Sequence, residues 1–168
     1  MIARKVSLII PLICLTAASC AHHPKKPTPA TAPVALTPAT APVIAPLMID
    51  VTDLRNRNGQ ILLCVFNQPA GFPADKDDAV VWQIRPAKPP LYGPIHMQVN
   101  LPVGDYAVAV VHDENANGKL DKGAFGVPSE GYGASNNPKP QMRAPRFQEA
   151  KFSLPPEGMR VVVSMRYF

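Results

Sequence analysis

The chain is poor in cysteine and in aromatic residues. Only three of its 168 residues are cysteine, and 7% are aromatic. Cys14 falls inside the N-terminal apolar run and Cys20 directly behind it, so Cys64 stands alone in the remainder of the chain. This excludes an intrachain disulfide framework there. Because Cys64 lies within the apolar stretch from Ile61 to Phe66, we expect a buried core thiol rather than a reactive one.

The chain also lacks sustained helical periodicity and any apolar run long enough to span a bilayer as a mature helix, which takes about 20 residues. The apolar run from Val6 to Leu15 follows Arg4 and Lys5 and precedes small residues, which is the order of a secretion signal. We therefore predict a signal peptide over residues 1–19. A short membrane anchor that stays attached is the alternative.

Cys20 follows three small residues, and this arrangement resembles a lipobox, in which the cysteine is diacylated and becomes the new N-terminus. Ala17 stands where that signal normally has leucine, so simple signal-peptidase cleavage stays open. Acylation would tether the protein, because each buried methylene adds about 0.8 kcal/mol of membrane affinity. Since Ala21 rather than aspartate comes next, the resemblance implies a lipid-anchored outer-membrane protein that faces the periplasm or the cell surface.

Residues 20–46 begin with this cysteine and continue as a segment rich in proline, alanine and threonine, in which the heptapeptide TPATAPV occurs twice. Such a composition favours extended, polyproline-like conformations and cannot build a core, so we predict a stalk that carries a domain at 47–168. The formal net charge of +5 falls to +1 without the four positive charges that precede this domain, those of Arg4, Lys5, Lys25 and Lys26. A nearly neutral domain gives no support to nucleic-acid binding.

The sequence pattern of the domain is typical of β structure, because short runs of β-branched and aromatic residues alternate with glycine, proline and asparagine clusters. We predict strands over 47–53, 60–67, 80–84, 95–101, 105–111, 149–154 and 159–167. Asn58-Gly59 predicts a tight hairpin between the first two strands. About seven strands with regular turns favour an all-β fold, an antiparallel two-sheet sandwich, with a small closed barrel as the competing architecture.

The interval from 113 to 148 is too long for an ordinary connection, and its sharpest motif is the stretch DENANGKLD that begins at Asp113. Oxygen side chains at its positions 1, 3, 5 and 9, with glycine at 6, follow most of an EF-hand-type calcium loop. The predicted ligands of Ca²⁺ are the side chains of Asp113, Asn115, Asn117 and Asp121 and the backbone carbonyl of Lys119.

This loop departs from the calcium pattern at its end, where Ala124 stands in place of the bidentate glutamate. Glu130 or Asn136 would have to supply the missing ligand, and the expected affinity is weak, roughly 10⁻⁴–10⁻³ M. A metal-free loop is the alternative, because Asn117-Gly118 is also a good turn and asparagine and aspartate side chains can bond their own backbone.

His112 stands directly before the loop and is the other candidate functional residue. A catalytic histidine needs a nucleophile and an orienting acid close to it in space. Asp113 is adjacent, and Ser129 and Ser135 lie in the interval, but no hydrolase signature surrounds them. We predict a packed histidine that bonds the loop.

Three longer segments and three short ones together carry a family resemblance: LPVGDYAV at 101–108, HDENANGKLD at 112–121, GVPSEGYGASNN at 126–137, and residues 54–56, 59–60 and 71–73. With these motifs the chain resembles the bacterial family called domain of unknown function 2141, over nearly all of 47–168. The resemblance implies a secreted or periplasmic β-sandwich related to transthyretin-like and carboxypeptidase-regulatory-like modules, which agrees with a sandwich of transthyretin-like or immunoglobulin-like type. It implies no activity.

These observations favour a membrane-tethered, non-enzymatic binding or structural module of the cell envelope, whose partner is an envelope protein or a small ligand. One alternative is a periplasmic hydrolase with its site on the loop 112–137, which a pocket joining His112, Asp113 and Glu130 would favour. The other alternative is an accessory partner of an outer-membrane complex. A flat apolar patch around Phe125 and Tyr132 would favour this second alternative.

Overall fold

The structure is a computed structural model that describes residues 41–88, 90–139, 141 and 143–168. The predicted signal peptide, Cys20 and most of the stalk lie outside these residues. The described part contains eight strands: β1 (Ile44–Thr52), β2 (Gln60–Phe66), β3 (Val81–Pro86), β4 (Ile95–Pro102), β5 (Gly104–Asp113), β6 (Gly131–Ala134), β7 (Phe152–Leu154) and β8 (Met159–Ser164). A one-turn helix, α1 (Phe147–Ala150), precedes β7, and 3₁₀ turns lie at Lys76–Asp78 and Ala124–Gly126. Among these residues, no helix has the length and apolar character needed to cross a membrane.

The strands form two sheets, which confirms the predicted β-sandwich. The first sheet has the order β4-β1-β8, and the second has the order β3-β2-β5-β6, with β7 paired to the beginning of β5. One pair departs from the antiparallel expectation, because β1 and β8 run parallel. A parallel pair needs a long crossover, and here the whole second sheet lies between the two strands in the chain.

Asn58-Gly59 does not form the predicted hairpin, because β1 and β2 lie in different sheets. The connection between them crosses from one sheet to the other. Gly59 has a φ of +65°, and a Cβ at this position would overlap the backbone of Asp113 and Glu114. The glycine therefore serves a close approach between this crossing and the loop that follows β5.

Several elements also differ from the prediction, and a local reason is visible for three of them. β1 begins at Ile44, inside the predicted stalk, and it tolerates Pro46 because β8 joins it only from Leu47 onward. The sequence does not predict β6, because two of its four residues, in Gly-Tyr-Gly-Ala, are glycines. Glycine is needed in this strand, since a Cβ at Gly131 would overlap the ring of Tyr167. The predicted strand over 149–154 is shortened because its start belongs to α1.

The main core lies between the two sheets, where each strand contributes alternate side chains. β4 shows the pattern most clearly, since Ile95, Met97, Val99 and Leu101 are buried and the residues between them are exposed. A second, smaller cluster lies on the outer face of the second sheet, beneath α1 and the loop 68–79. Cys64 packs against this second cluster, and burial raises the pKa of its thiol to about 11, which keeps it in the unreactive form.

Candidate functional site

The loop between β5 and β6 starts from a buried carboxylate. Asp113 is fully buried at the end of β5. Its Oδ1 accepts a hydrogen bond from the backbone N–H of Asn117 at 3.0 Å, and its Oδ2 accepts from the N–H of Gly118 at 2.7 Å. The amide of Gln60 on β2 also donates to Oδ2, at 2.8 Å. Asp113 therefore closes the first turn of the loop and ties it to the sheet.

Three of the predicted calcium ligands converge beyond this turn. The side-chain Nδ2 atoms of Asn115 and Asn117 donate to the same carboxylate oxygen, Oδ2 of Asp121, at 2.7 and 2.8 Å. The Oδ1 atoms of the two asparagines accept from the backbone N–H groups of Asn117 and Lys119, both at 3.1 Å. The ammonium of Lys119 lies 3.8 Å from Oδ1 of Asp121. The loop is thus folded as consecutive Asx turns around one carboxylate.

This cluster contains too few carboxylates to hold a metal ion without the asparagines. Within the part of the chain that the structure describes, no three His, Cys, Asp or Glu side chains are arranged to bind a metal. An asparagine amide has a carbonyl oxygen as well as the NH₂ group, and rotation of the amide exchanges the two. Rotated amides of Asn115 and Asn117 would direct oxygens instead of hydrogens toward Asp121.

Glu130 lies beside the loop but bonds its backbone. It is 5% exposed. Its Oε1 accepts from the N–H of Glu114 at 2.9 Å, and its Oε2 accepts from the N–H of Asp121 at 3.0 Å. The carboxylate therefore clamps the beginning and the end of the segment 114–121. Both oxygens already have donors, so Glu130 is a brace of the loop in this arrangement rather than the missing twelfth ligand.

Asn136 is not brought to the calcium loop at all. It follows β6, and its side-chain amide donates to the carbonyl of Lys151 at 2.8 Å. Its neighbours act in a similar way. The hydroxyl of Ser135 donates to the carbonyl of Ala150 at 2.5 Å, and Asn137 pairs with the edge of β8, donating to the carbonyl of Val162 and accepting from the N–H of Ser164. Ser135 and Asn136 thus bond the end of α1 and the residue that follows it, whereas Asn137 joins the two sheets.

His112 is fully buried, and both of its ring nitrogens have partners. Nε2 lies 2.9 Å from the carbonyl of Asn58, which can only accept, so Nε2 carries the proton. Nδ1 lies 2.8 Å from the hydroxyl of Tyr167, which also accepts from the N–H of Arg55 at 3.3 Å. Burial raises the pKa of Tyr167, which keeps this hydroxyl protonated. The imidazole ties β5 to the β1–β2 connection and to the C-terminal segment.

An ion pair that the sequence did not indicate as a site joins the same connection to the loop. Nε of Arg55 lies 2.8 Å from Glu114, and the amide of Asn56 donates to the other carboxylate oxygen at 2.8 Å. Burial raises the pKa of Glu114, but the hydrogen bonds from Asn56 and Arg55 outweigh it and hold the pKa below its usual value. The guanidinium of Arg55 also stacks 4.6 Å from the ring centre of Tyr167 and donates to the carbonyl of Ser129. In the sequence, the only pointer to this ion pair was the family motif Leu54-Arg55-Asn56.

The tip of the loop is apolar and exposed. Phe125 is completely exposed and has a φ of +60°, a conformation that non-glycine residues rarely adopt. Val127 beside it is 42% exposed. Tyr132 lies elsewhere, half-buried on β6 with its ring stacked on Phe168 at 5.7 Å. The exposed apolar surface of the loop therefore consists of Phe125 and Val127, without Tyr132.

The motif residues thus hold one structural unit together, and the same motifs define a family. The bacterial family described as an uncharacterized protein conserved in bacteria, domain of unknown function 2141, matches residues 49–161. The chain belongs to this family. The match confirms the predicted resemblance and spans the two sheets from β1 into β8. No curated protein and no solved structure is significantly similar to the chain.

Proposed function

We propose that this domain of unknown function 2141 protein is a non-enzymatic binding module of the cell envelope, tethered through acylated Cys20, whose loop 113–121 binds Ca²⁺. The observation that carries the calcium proposal is the convergence of Asn115 and Asn117 on one carboxylate oxygen of Asp121. A cation that replaces the two N–H donors would find three oxygen-bearing side chains already gathered at one place.

The loop is braced for such a role, because its backbone geometry does not depend on the metal. Glu130 holds the backbone N–H groups at both ends of the segment 114–121, Asp113 holds those of Asn117 and Gly118 in its middle, and both carboxylates are buried. A preorganised loop loses little conformational freedom when it binds an ion. Each rotated amide would give up two hydrogen bonds, the one it donates to Asp121 and the one its oxygen accepts from a backbone N–H, for one metal–oxygen contact.

The affinity of this site is expected to be low. Two of its ligand side chains are neutral amides, and Lys119 places a positive charge 3.8 Å from Asp121. The cation must also compete with two hydrogen bonds that already satisfy Asp121. These features correspond to extracellular calcium modules with dissociation constants of roughly 10⁻⁴–10⁻³ M.

A role without catalysis is supported by the surroundings of His112. Its ring nitrogens are both engaged by Asn58 and Tyr167, and Asp113 and Glu130 bond backbone amides rather than the imidazole. A hydrolase on this loop would need the histidine to face a nucleophile. The accessory-partner alternative retains one supporting observation, the exposed pair Phe125 and Val127 at the tip of the loop.

The calcium proposal is tested by thermal unfolding of the full chain with and without calcium. Binding to the native state alone stabilises it by about 1.4 kcal/mol at ten times the dissociation constant, so millimolar calcium raises Tm by several degrees. A chelator reverses the shift, and magnesium has a smaller effect because it demands stricter octahedral geometry.

The matched variants are Asp121→Asn and Asp77→Asn. Asp121→Asn removes a ligand charge and keeps the side-chain shape, whereas Asp77→Asn makes the same change at an exposed carboxylate far along the chain. We expect the calcium response to disappear in the first variant and to persist in the second. If calcium leaves the Tm of the wild-type protein unchanged, or if both variants respond alike, the loop is a metal-free structural turn.

A further inference from the structure

β3 is an edge strand that presents an unpaired side. It pairs with β2 along its length without a bulge, and in the described residues no strand lies against its other side. The N–H and C=O groups on that side are therefore free to pair with another extended chain. Edge strands are often protected by charged residues, proline or a bulge, but β3 has such residues, Arg85 and Pro86, only at its end, and its middle reads Trp82-Gln83-Ile84.

The outward face of this edge carries a row of large apolar side chains. Val80, Trp82 and Ile84 alternate along the chain and are 44%, 43% and 45% exposed. Trp82 and Ile84 stand opposite Cys64 and Leu62 of β2. The row borders the apolar surface that α1 and the loop 68–79 cover farther along the same sheet, and the ammonium of Lys76 lies 5.9 Å from the ring centre of Trp82. Tryptophan in such a position is typical of binding hot spots.

Charge is distributed unevenly along this edge. The segment Asp75–Asp78 before β3 has three carboxylates and one lysine, whereas Arg85 and Lys88 follow its centre. An antiparallel copy of the same strand would place the acidic end of one chain beside the basic end of the other. A parallel copy would place like charges together, which is unfavourable.

We propose that a second copy of this chain pairs with β3 in antiparallel orientation, about a two-fold axis at Gln83. This register places Trp82 of each copy opposite Ile84 of the other on the outward face. It also places Asp78 near Lys88 across the dyad, and the symmetry repeats every contact. The second sheets of the two copies then form one continuous sheet.

The dimer is reversible and its population depends on protein concentration. Pairing of two six-residue strands buries less surface than a standard stable interface, which covers about 1,600 Å² in total. The full chain, purified in a mild detergent, shows a monomer–dimer equilibrium in analytical ultracentrifugation. Trp82→Glu abolishes the dimer. Val162→Glu, a matched change at a 47% exposed apolar position on the other sheet, leaves the equilibrium unchanged.

Charge reversal tests the antiparallel register itself. Asp78→Lys and Lys88→Asp each replace two attractive pairs with two repulsive ones, which weakens the dimer by about tenfold. The double variant restores the pairs and returns the equilibrium toward the wild-type value. Asp78 and Lys88 are exposed and make no side-chain hydrogen bond within the described structure. The charge variants should therefore keep the fold, and they test the register even if Trp82→Glu disturbs folding.

Three results would each overturn the proposal. The first is a chain that stays monomeric at every concentration. The second is a dimer that survives Trp82→Glu in a folded variant, which would place the interface elsewhere. The third is a double charge variant that stays as weak as the single ones, which would exclude the antiparallel pairing of β3.

Discussion

Glu130→Gln removes the brace of the long loop while keeping the size of the side chain. In the wild-type protein each carboxylate oxygen accepts one backbone N–H, from Glu114 and from Asp121. Glutamine has one acceptor oxygen and one NH₂ group. The NH₂ group would face a backbone N–H and cannot accept a hydrogen bond from it. One buried backbone donor therefore loses its partner, and the remaining hydrogen bond loses its charge assistance.

The cost follows from these two losses. An unsatisfied buried donor costs about 1–3 kcal/mol, and a hydrogen bond to a charged group is stronger than a neutral one by about 1 kcal/mol. Relief of the buried charge offsets part of this loss. We expect a net destabilisation of about 2 kcal/mol, which lowers Tm by roughly 6–10 °C for a domain of this size.

The assay combines thermal unfolding with amide hydrogen exchange. Glu157→Gln is the matched control, because Glu157 is exposed and its replacement changes the net charge by the same amount. The backbone amides of Glu114 and Asp121 should lose protection in Glu130→Gln and retain it in the control. Equal melting temperatures for the two variants, with both amides still protected, would refute the bracing role of Glu130.

Three further predictions concern the anchor, the stalk and the first sheet. Cys20→Ser should release the protein from membranes or leave it unprocessed, and fractionation with mass spectrometry of the N-terminus checks this; wild-type protein found wholly in the soluble fraction would contradict acylation. Deletion of 21–43 should change Tm by no more than a degree or two, because this composition has almost no periodic apolar surface to bury. Burial raises the pKa of Asp50, but hydrogen bonds from His96 and Arg160 outweigh it and hold the pKa below 3.8. The stability that this carboxylate contributes is therefore present above pH 3.8 and is lost as pH falls through the lowered pKa. Asp50→Asn should reduce the loss of unfolding free energy at acid pH, measured by denaturant titrations. An unchanged pH profile would show that Asp50, His96 and Arg160 contribute nothing to stability through this carboxylate.

The sequence by itself determined the features that depend on local pattern. The period-2 alternation of 95–101 is legible in the sequence and marks the face of β4 that the structure buries, and the predicted strand over 60–67 is β2. Side-chain polarity with period 2 is a property of the strand alone, so no partner has to be known. The family motifs were likewise legible, and the match over residues 49–161 confirmed them.

Only the tertiary structure decided which strands pair and what the motif residues bond. Asn58-Gly59 has the local chemistry of a hairpin, yet β1 pairs with β4 and β8 because burial between the sheets outweighs the preference of one turn. Glu130 and Asn136 had equal standing as ligands in the sequence, but one braces the loop and the other bonds the carbonyl of Lys151, between α1 and β7. Hydrogen-bond partners distant in the chain leave no periodic trace, so their choice depends on where the folded backbone places its unpaired groups.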